Sequence, residues 1–390
     1  MGKNQGYYTS AASREVIAMT ISSPTLILDE VKCKHNIQMM VDKAKHHHLQ
    51  LKPHFKTHQS VQIGKWFKEA GVSAITVSSV GMAEYFASAG WRDITIAFPL
   101  NPLMADRLNA LASRVNLTLL VDNETAIGEV AASLTNPVNI YIEIDTGAGR
   151  TGIGKDDPAT LKTVANEIAH HPQLNLKGLY SHAGHSYAAR SREEVKHIFT
   201  EAKQVILDAK RVLETAGFKT LEICMGDTPT CSVVADFSGV DAISPGNFVF
   251  YDLMQVQIGA CSLEQIAVAM ACPVVSKNRD NLTVCIHGGA VHFSKEYIEE
   301  GAGKLFGLVA RSNGHAWGEP MLGCYLTKLS QEHGIVQLTL DIFDNTDIGD
   351  ILLILPVHSC LTAEAMGSYI DASGNRITHY AQKNRDLPGL

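Results

Sequence analysis

Short apolar runs and stretches of helical periodicity alternate along the chain from residue 24 to about residue 245. Pro24 to Asp29 is an apolar run, followed by a helical pattern from Glu30 to His47. Leu51 to Lys56 reads as extended and Gln59 to Ala70 as helix. Ala74 to Ser79 leads into helix up to Gly90, Asp93 to Pro99 into helix from Leu103, and Leu117 to Asp122 into helix from Glu124. Val138 to Asp145 runs into a glycine-rich loop and a helix from Asp157. Leu176 to Ala183 precedes a long helix, Ser191 to Ala216, and Leu221 to Gly226 and Ala242 to Pro245 end the series. Brief apolar runs bounded by Gly and Pro, with 3.6-residue periodicity between them, predict a parallel α/β architecture. The number of units is near eight over roughly 230 residues, which predicts a closed (β/α)8 barrel. An open doubly wound sheet competes with it, but no G-x-G-x-x-G follows the first strand.

After about Gly259 the pattern changes. Ile266 to Val275, Asn281 to His287, Met321 to Leu329, Ile335 to Leu340 and Asp350 to Pro356 read as strands separated by Gly, Asn and Asp. The expected organisation is a barrel over 24–258 and a mostly β domain over 259–390, with residues 1–23 packing on the second.

Composition narrows the class. The chain has 390 residues, 45% of them hydrophobic and 19% charged, enough for a large core. A net charge of -7 with both signs dispersed gives no basic patch for nucleic acid. No apolar run reaches the roughly 18 residues of a membrane span, and Met1 to Ser23 lacks the apolar segment of a secretion signal. Cytoplasmic residence is expected. The eight cysteines are scattered with no C-x-x-C pair, so they read as reduced thiols.

Several stretches carry candidate chemistry. In Lys52-Pro53-His54-Phe55-Lys56-Thr57-His58, alternate side chains of an extended segment would share a face, placing Lys56 at the catalytic mouth of a barrel. A desolvated lysine near other cations loses part of its proton affinity, which favours a Schiff base; the same residues also read as a basic surface cluster. His358-Ser359-Cys360 follows a strand, and an i, i+2 imidazole and thiolate in extended backbone can close on one soft ion such as zinc. It also reads as a partly buried cysteine beside an unrelated histidine. Gly226-Asp227-Thr228-Pro229-Thr230 and Ser244-Pro245-Gly246-Asn247 follow the last two strands, where barrels hold phosphate on backbone N–H groups. Arg150, in a glycine-rich loop, could donate to a cofactor phenolate or a substrate carboxylate. Tyr187, in YSHAGHSY, could contact a cofactor ring, whereas Tyr180 reads as core. His46-His47-His48 reads as ordinary helix C-terminal chemistry.

Together, KPHFKTHQ, IDTGAGRTG, YSHAGHSY, GDTPT, PGNFVFYD, QEHG and PVHSC resemble, in order, the D-serine dehydratase and D-threonine aldolase group of fold-type III pyridoxal-phosphate enzymes. The resemblance runs from Pro24 to about Met366. It implies an alanine-racemase-like barrel, a Schiff-base lysine at Lys56, and cofactor binding by His54, Arg150, Tyr187, Gly226, Asp227, Thr228, Gly246 and Asn247. It also implies a metal on His358 and Cys360 (zinc, or manganese or cobalt), with catalytic roles for Lys56, Arg150, Tyr187 and His358, and a homodimer. Dehydratases of the group look like H-x-C and aldolases like H-x-D, so Cys360 leans towards dehydration of a D-3-hydroxy amino acid to a 2-oxo acid and ammonia. Retro-aldol cleavage to glycine and an aldehyde is the alternative; an amino-acid racemase or a non-catalytic cofactor-binding protein is a further one. Three departures stand out. Asp227 sits where Gly or Ser is usual, Gln59 replaces a common lysine, and His287-Gly288-Gly289 stands where an Asp-containing turn is typical.

Overall fold

The computed structural model describes residues 21–300, 303–312 and 316–380. Two compact units emerge among the described residues: one holds Lys34–Val249 and Gln255–Cys261, the other residues 21–33, Phe250–Met254 and the described residues from Ser262 on.

The first unit is built on eight parallel strands: Gln50–Leu51, Ala74–Val77, Asp93–Pro99, Asn116–Val121, Val138–Asp145, Leu174–Ser181, Glu222–Met225 and Ala242–Ile243. The last pairs with the first through Ala242↔Gln50. The gap between the first two is closed by a parallel bridge, His54↔Thr76. Phe55 donates its N–H to Thr76 O at 2.8 Å, and Thr76 donates to Pro53 O at 3.0 Å. The ring is therefore complete, which removes the open-sheet alternative. Leu120, Tyr141, Tyr180, Cys224 and Ala242 form one buried cluster with Ala97 against it. Six strands reach a common interior in this way, as a closed barrel requires.

Most of the connections from strand to helix supply a cap. Ser60, Ser79, Asn123, Asp157, Ser191 and Asp227 each accept a backbone N–H of the helix they open. The longest helix, Arg192–Thr215, buries Val195, Phe199, Ala202, Ile206 and Leu213 at helical spacing.

The barrel interior is polar towards the strand N-termini. Lys52 is fully buried and donates to Tyr141 Oη at 2.6 Å and to Glu222 Oε1 at 2.7 Å. Tyr141 also donates to Glu222, and Lys177 lies 3.6 Å from the other carboxylate oxygen. Burial opposes ionisation of Glu222, but Lys52, Tyr141 and Lys177 outweigh it and hold the carboxyl below its ordinary range.

In the second unit, Val268–Asn278, Thr283–His287, His333–Gln337, Trp317–Leu329, Gly307–Ser312 and Ile351–Pro356 form a six-stranded ring, closed by pairing of the first two. Thr25–Leu28 belongs to this sheet, antiparallel to Val268–Asn278 and parallel to Ser368–Asp371. Reading Pro24 to Asp29 as part of the barrel is thereby corrected: an apolar TLIL segment pairs with either sheet, and the pairing decides. The expectation that residues 1–23 pack on the β domain falls almost wholly on 1–20, outside the described residues. Among the described residues, no helix is long and apolar enough to cross a membrane.

One prediction concerns the buried network. Lys52→Met strands Glu222 and costs towards the low end of ~3–5 kcal/mol, because Glu222 keeps some water and Lys177. The double variant with Glu222→Gln recovers part of this in urea unfolding. The depressed Glu222 pKa adds stability above its unfolded value of about 4.3, lost as pH falls through the folded value. Glu222→Gln removes that acid-dependent component.

Candidate functional site

Lys56 follows the bridge that closes the barrel. The strand itself is only Gln50–Leu51, and residues 55–58 form a turn, so the predicted extended run to Lys56 is shorter than expected. Lys52 and His54 are both buried, and Lys56 is lifted by the turn to an exposed position. Phe55 fixes that turn. Its ring, fully buried, lies 5.0 Å from Phe67, 4.9 Å from Phe86 and 5.1 Å from Trp91 by centroid. An anchored aromatic facing the helices leaves the next side chain no choice but the other direction. Lys56 also donates its backbone N–H to Nδ1 of His54 at 3.3 Å.

Two histidines come within electrostatic reach of both Lys56 and Arg150. Burial holds His54 well below the usual histidine range, with Lys56, His182 and Arg150 adding to the effect. Burial likewise pushes His182 down to about 3, helped by Lys56 and Arg150. His182 Nδ1 bonds to the Gly226 carbonyl, which places the proton on Nδ1 and leaves Nε2 an acceptor. The mouth therefore holds the Arg150 guanidinium, the Lys56 amine and two neutral imidazoles.

Arg150 is presented by a loop that folds back on Asp145. The Asp145 carboxylate accepts from Gly147 N at 2.9 Å and Gly149 N at 3.1 Å. Gly152, at φ +102, admits no side chain, because a Cβ would stand 2.7 Å from Asp145 N. Thr151 donates to Glu143 Oε1 at 3.0 Å, whereas Glu143 Oε2 is buried without a hydrogen-bond partner. Burial raises the Glu143 pKa, opposed by Thr151 and Arg150.

The two phosphate-binding candidates meet. A Cβ on Gly226 would lie 2.1 Å from Ser244 Oγ, and one on Gly246 would lie 2.8 Å from His54 O. The loops after strands seven and eight thus approach each other and the closing segment more closely than any side chain allows. Thr228 opens the helix Thr228–Val233 and donates its N–H to Tyr187 Oη at 3.3 Å; its own hydroxyl is buried with no partner. Asn247 begins a short 3-10 turn and is buried. Asp227 faces the other way. Its carboxylate accepts from Thr230 N at 2.7 Å, Thr230 Oγ1 at 2.6 Å and Ser186 Oγ at 2.8 Å. Burial raises it to about 6 against those three donors. What it can offer an anion is its backbone, not its side chain.

In the β-rich unit, His358 is the N-cap residue of the helix Ser359–Met366, and Cys360 lies in its first turn. The pair is therefore not an extended i, i+2 pair, but the two side chains are hydrogen-bonded all the same. Burial pulls His358 down; Cys360, Asp252 and Glu296 outweigh it and push the imidazole up to about 9. Nδ1 of His358 is buried without a partner. Asp252 Oδ2 accepts from Ser359 N at 2.9 Å and Ser359 Oγ at 3.2 Å, pinning the residue between the pair.

Two residues in this picture were not singled out in the sequence. His182 was visible in YSHAGHSY, where alternation from Tyr180 puts its ring at the strand's end. Glu143 precedes the glycine-rich loop by two positions, and the same alternation from buried Tyr141 turns it inward.

Residues 28–253 match the family described as alanine racemase, N-terminal domain, and residues 267–371 match a putative serine dehydratase domain. D-threo-3-hydroxyaspartate dehydratase of Delftia sp. (strain HT23) is 29% identical over 360 residues, covering 90% of this chain and 94% of that one. Its solved structure superposes with a TM-score of 0.86 at 28% identity, covering 95% and 99%. Two variants of it have also been solved, a histidine-to-alanine and a cysteine-to-alanine change two positions apart, the latter described as metal-free. D-serine dehydratase of Dictyostelium discoideum is 28% identical over 386 residues, covering 92% and 95%. D-threonine aldolase of Arthrobacter sp. is 24% identical over 345 residues, covering 87% and 86%. With a barrel matched over more than half its length and a dehydratase-type second domain, the chain belongs to the alanine-racemase-like enzyme family that includes the D-serine dehydratases and D-threonine aldolases.

Proposed function

We propose that the chain is a pyridoxal-phosphate- and metal-dependent lyase that removes water from a D-3-hydroxy amino acid, giving a 2-oxo acid and ammonia. The observation that carries this reading is the barrel mouth. Lys56 and Arg150 both act on His54 and His182, beside a cradle of tightly approaching loops and a buried, unpartnered Thr228 hydroxyl. An anionic, phosphate-bearing aldehyde suits that donor set. Thr228, the backbone of Gly226, Asp227 and Gly246, and Asn247 would hold its phosphate. Lys56 would carry it, with His54, Arg150 and Tyr187 around the ring.

Bound there, the cofactor accepts the electron pair left at the substrate's α carbon. Displaced from the cofactor by the substrate's amine, the free Lys56 Nζ would take the α proton, and Arg150 would neutralise developing negative charge. His54 and His182, held neutral, line the mouth without adding charge that would repel Lys56. His358 and Cys360 form a soft donor pair suited to zinc. The H-x-C spacing matches the two altered positions in the dehydratase relative, one variant of which is described in a metal-free form. A metal at that pair supplies Lewis acidity to a β-hydroxyl, turning hydroxide into a manageable leaving group. The product of elimination is an enamine, which takes up a proton at its β carbon. Water then replaces nitrogen, and ammonia leaves. Retro-aldol cleavage uses the same groups, and the similarity to D-threonine aldolase keeps it as the second reading. A small D-amino acid as substrate, zinc as the metal and a homodimer as the working form belong to the same proposal.

Products separate the two readings: ammonia with a 2-oxo acid supports elimination, and glycine with an aldehyde supports cleavage. Lys56→Ala should lose the near-visible absorbance of the bound cofactor and lower kcat/KM by at least ~10²-fold, within the range of a lost general base. A colourless wild-type protein after incubation with the cofactor would end the cofactor assignment. His358→Ala and Cys360→Ala should keep the absorbance and lose turnover, as should chelation of the wild type. Asp252→Asn loosens the Ser359 anchor between the ligands and should weaken metal binding by ~10–100-fold, read by zinc titration.

A further inference from the structure

One departure from the family pattern, His287-Gly288-Gly289, is not used by the proposed lyase. His287 ends the strand Thr283–His287, and His292 lies on the single turn Ala290–Phe293. Glu332 sits in the turn between Trp317–Leu329 and His333–Gln337. Its carboxylate is 3.6 Å from His287 Nε2 and 3.7 Å from His292 Nε2. The two rings lie 5.6 Å apart at 86°. One ligand atom from each of the three residues lies within 4.8 Å of the others.

The backbone beneath them is held firmly. Gly288 donates to Glu332 O at 2.9 Å, Ala290 to Ser330 O at 2.7 Å and Val291 to Gln331 O at 3.2 Å. Both turns need their glycines for this contact: a Cβ on Gly289 would stand 2.3 Å from Gln331 O, and one on Gly334 2.5 Å from Gly288 O. The donors are thus carried by two turns locked to each other, not by one mobile loop.

We infer that His287, His292 and Glu332 bind a divalent cation of the zinc class, at a site separate from His358 and Cys360. Two imidazoles and one carboxylate are a donor set that zinc accepts, with solvent supplying the fourth position. Zinc–nitrogen and zinc–oxygen bonds of about 2.0–2.2 Å put tetrahedral donors about 3.3–3.5 Å apart. The two histidine–carboxylate spacings already lie close to that. The remaining closure falls on His287, whose side chain is 40% exposed and has room to turn. His292 Nδ1 accepts from Gly289 N at 3.1 Å, so in the metal-free chain Nε2 carries the ring proton towards Glu332. Cation binding moves that proton to Nδ1 and gives up the Gly289 contact, with no net proton released. The groups acting on His292 are Glu332 and His287, whereas those acting on His358 are Cys360, Asp252 and Glu296. The bound ion would clamp the Gly288-Gly289 turn to the 330–333 turn and stabilise the folded chain by mass action.

The test counts metal and does not depend on turnover, so it stands whether or not the lyase reading does. Full-length wild type, His287→Gln, Glu332→Gln, His358→Ala and the His358→Ala/His287→Gln double variant are stripped with chelator. Each is then exposed to a slight excess of zinc at pH 7.5 and gel-filtered. Zinc per chain is measured by mass spectrometry, and Tm with and without zinc by calorimetry. Equal metal-free Tm values for wild type and His287→Gln establish that the variant folds; should that variant unfold, Glu332→Gln serves in its place. The expected result is one zinc fewer per chain in His287→Gln and Glu332→Gln than in wild type. His358→Ala should still bind zinc and gain Tm with it, and the double variant should do neither. An unchanged zinc count in both His287→Gln and Glu332→Gln, a zinc-free His358→Ala, or uptake only at millimolar zinc would each overturn the site.

Discussion

Between the first and second barrel strands the ring is closed by a few backbone atoms. Phe55 N–H reaches Thr76 O, Thr76 N–H reaches Pro53 O, and Thr76 Oγ1 donates to Lys52 O at 2.8 Å. Without these bonds, Gln50–Leu51 and Ala74–Val77 would be the two edges of an open sheet. With them, the chain from Lys52 to Lys56 becomes a short ladder running up the barrel: a buried ammonium at its foot, a neutral imidazole in the middle and an exposed amine at the top. The aromatic cluster around Phe55 keeps the ladder from rotating. The position of Lys56 is therefore a consequence of barrel closure.

The interior above and below that ladder is sorted by charge. At the foot, Lys52 and Lys177 share Glu222, with Tyr141 as a further donor, so the buried Lys52 charge is paired inside the protein. At the mouth, Lys56 and Arg150 stand close enough to depress two histidines. An anionic ligand is the natural complement of such an arrangement. A buried cation costs stability unless it is paired. The fold meets that cost at the foot with its own carboxylate and at the mouth with exposure to solvent.

Much of this was legible in the sequence because the barrel repeats a local grammar. Most barrel helices open on Ser, Asn or Asp, and most strands are apolar runs ending near Gly, Asp or Ser, so element order follows largely from caps and periodicity. What was not legible depends on partners distant in sequence. Thr25–Leu28 has the same apolar text as a barrel strand and is claimed by Val268–Asn278 instead. Gly307–Ser312, whose outer residues are polar, was missed because it gains strand character only between two neighbours. The i, i+2 spacing of His358 and Cys360 suggested extended backbone, yet the contact forms at a helix start, where an N-cap residue and a first-turn residue also face each other. Alternation places His182 and Glu143, but not their chemistry: burial, which turns an ordinary histidine into a neutral acceptor and an ordinary carboxyl into a reluctant one, is invisible until the barrel is closed.

The departures at residues 227 and 287 illustrate how a side chain acquires or loses a role through its neighbours. A carboxylate next to the proposed phosphate-binding turn would repel the anion if its oxygens faced it. Asp227 avoids this because Ser186 and Thr230 take both oxygens, and the residue becomes a helix cap whose backbone N–H alone remains for the ligand. His287 has no such local donor set. What it meets is Glu332, brought alongside by the pairing of Thr283–His287 with His333–Gln337, and His292, returned to the same point by a single helical turn. In the first case the neighbours satisfy the side chain and take it out of the binding chemistry. In the second they assemble around it donors of the kind a metal requires, and the same reasoning that removes Asp227 from the phosphate site points to a cation at the other.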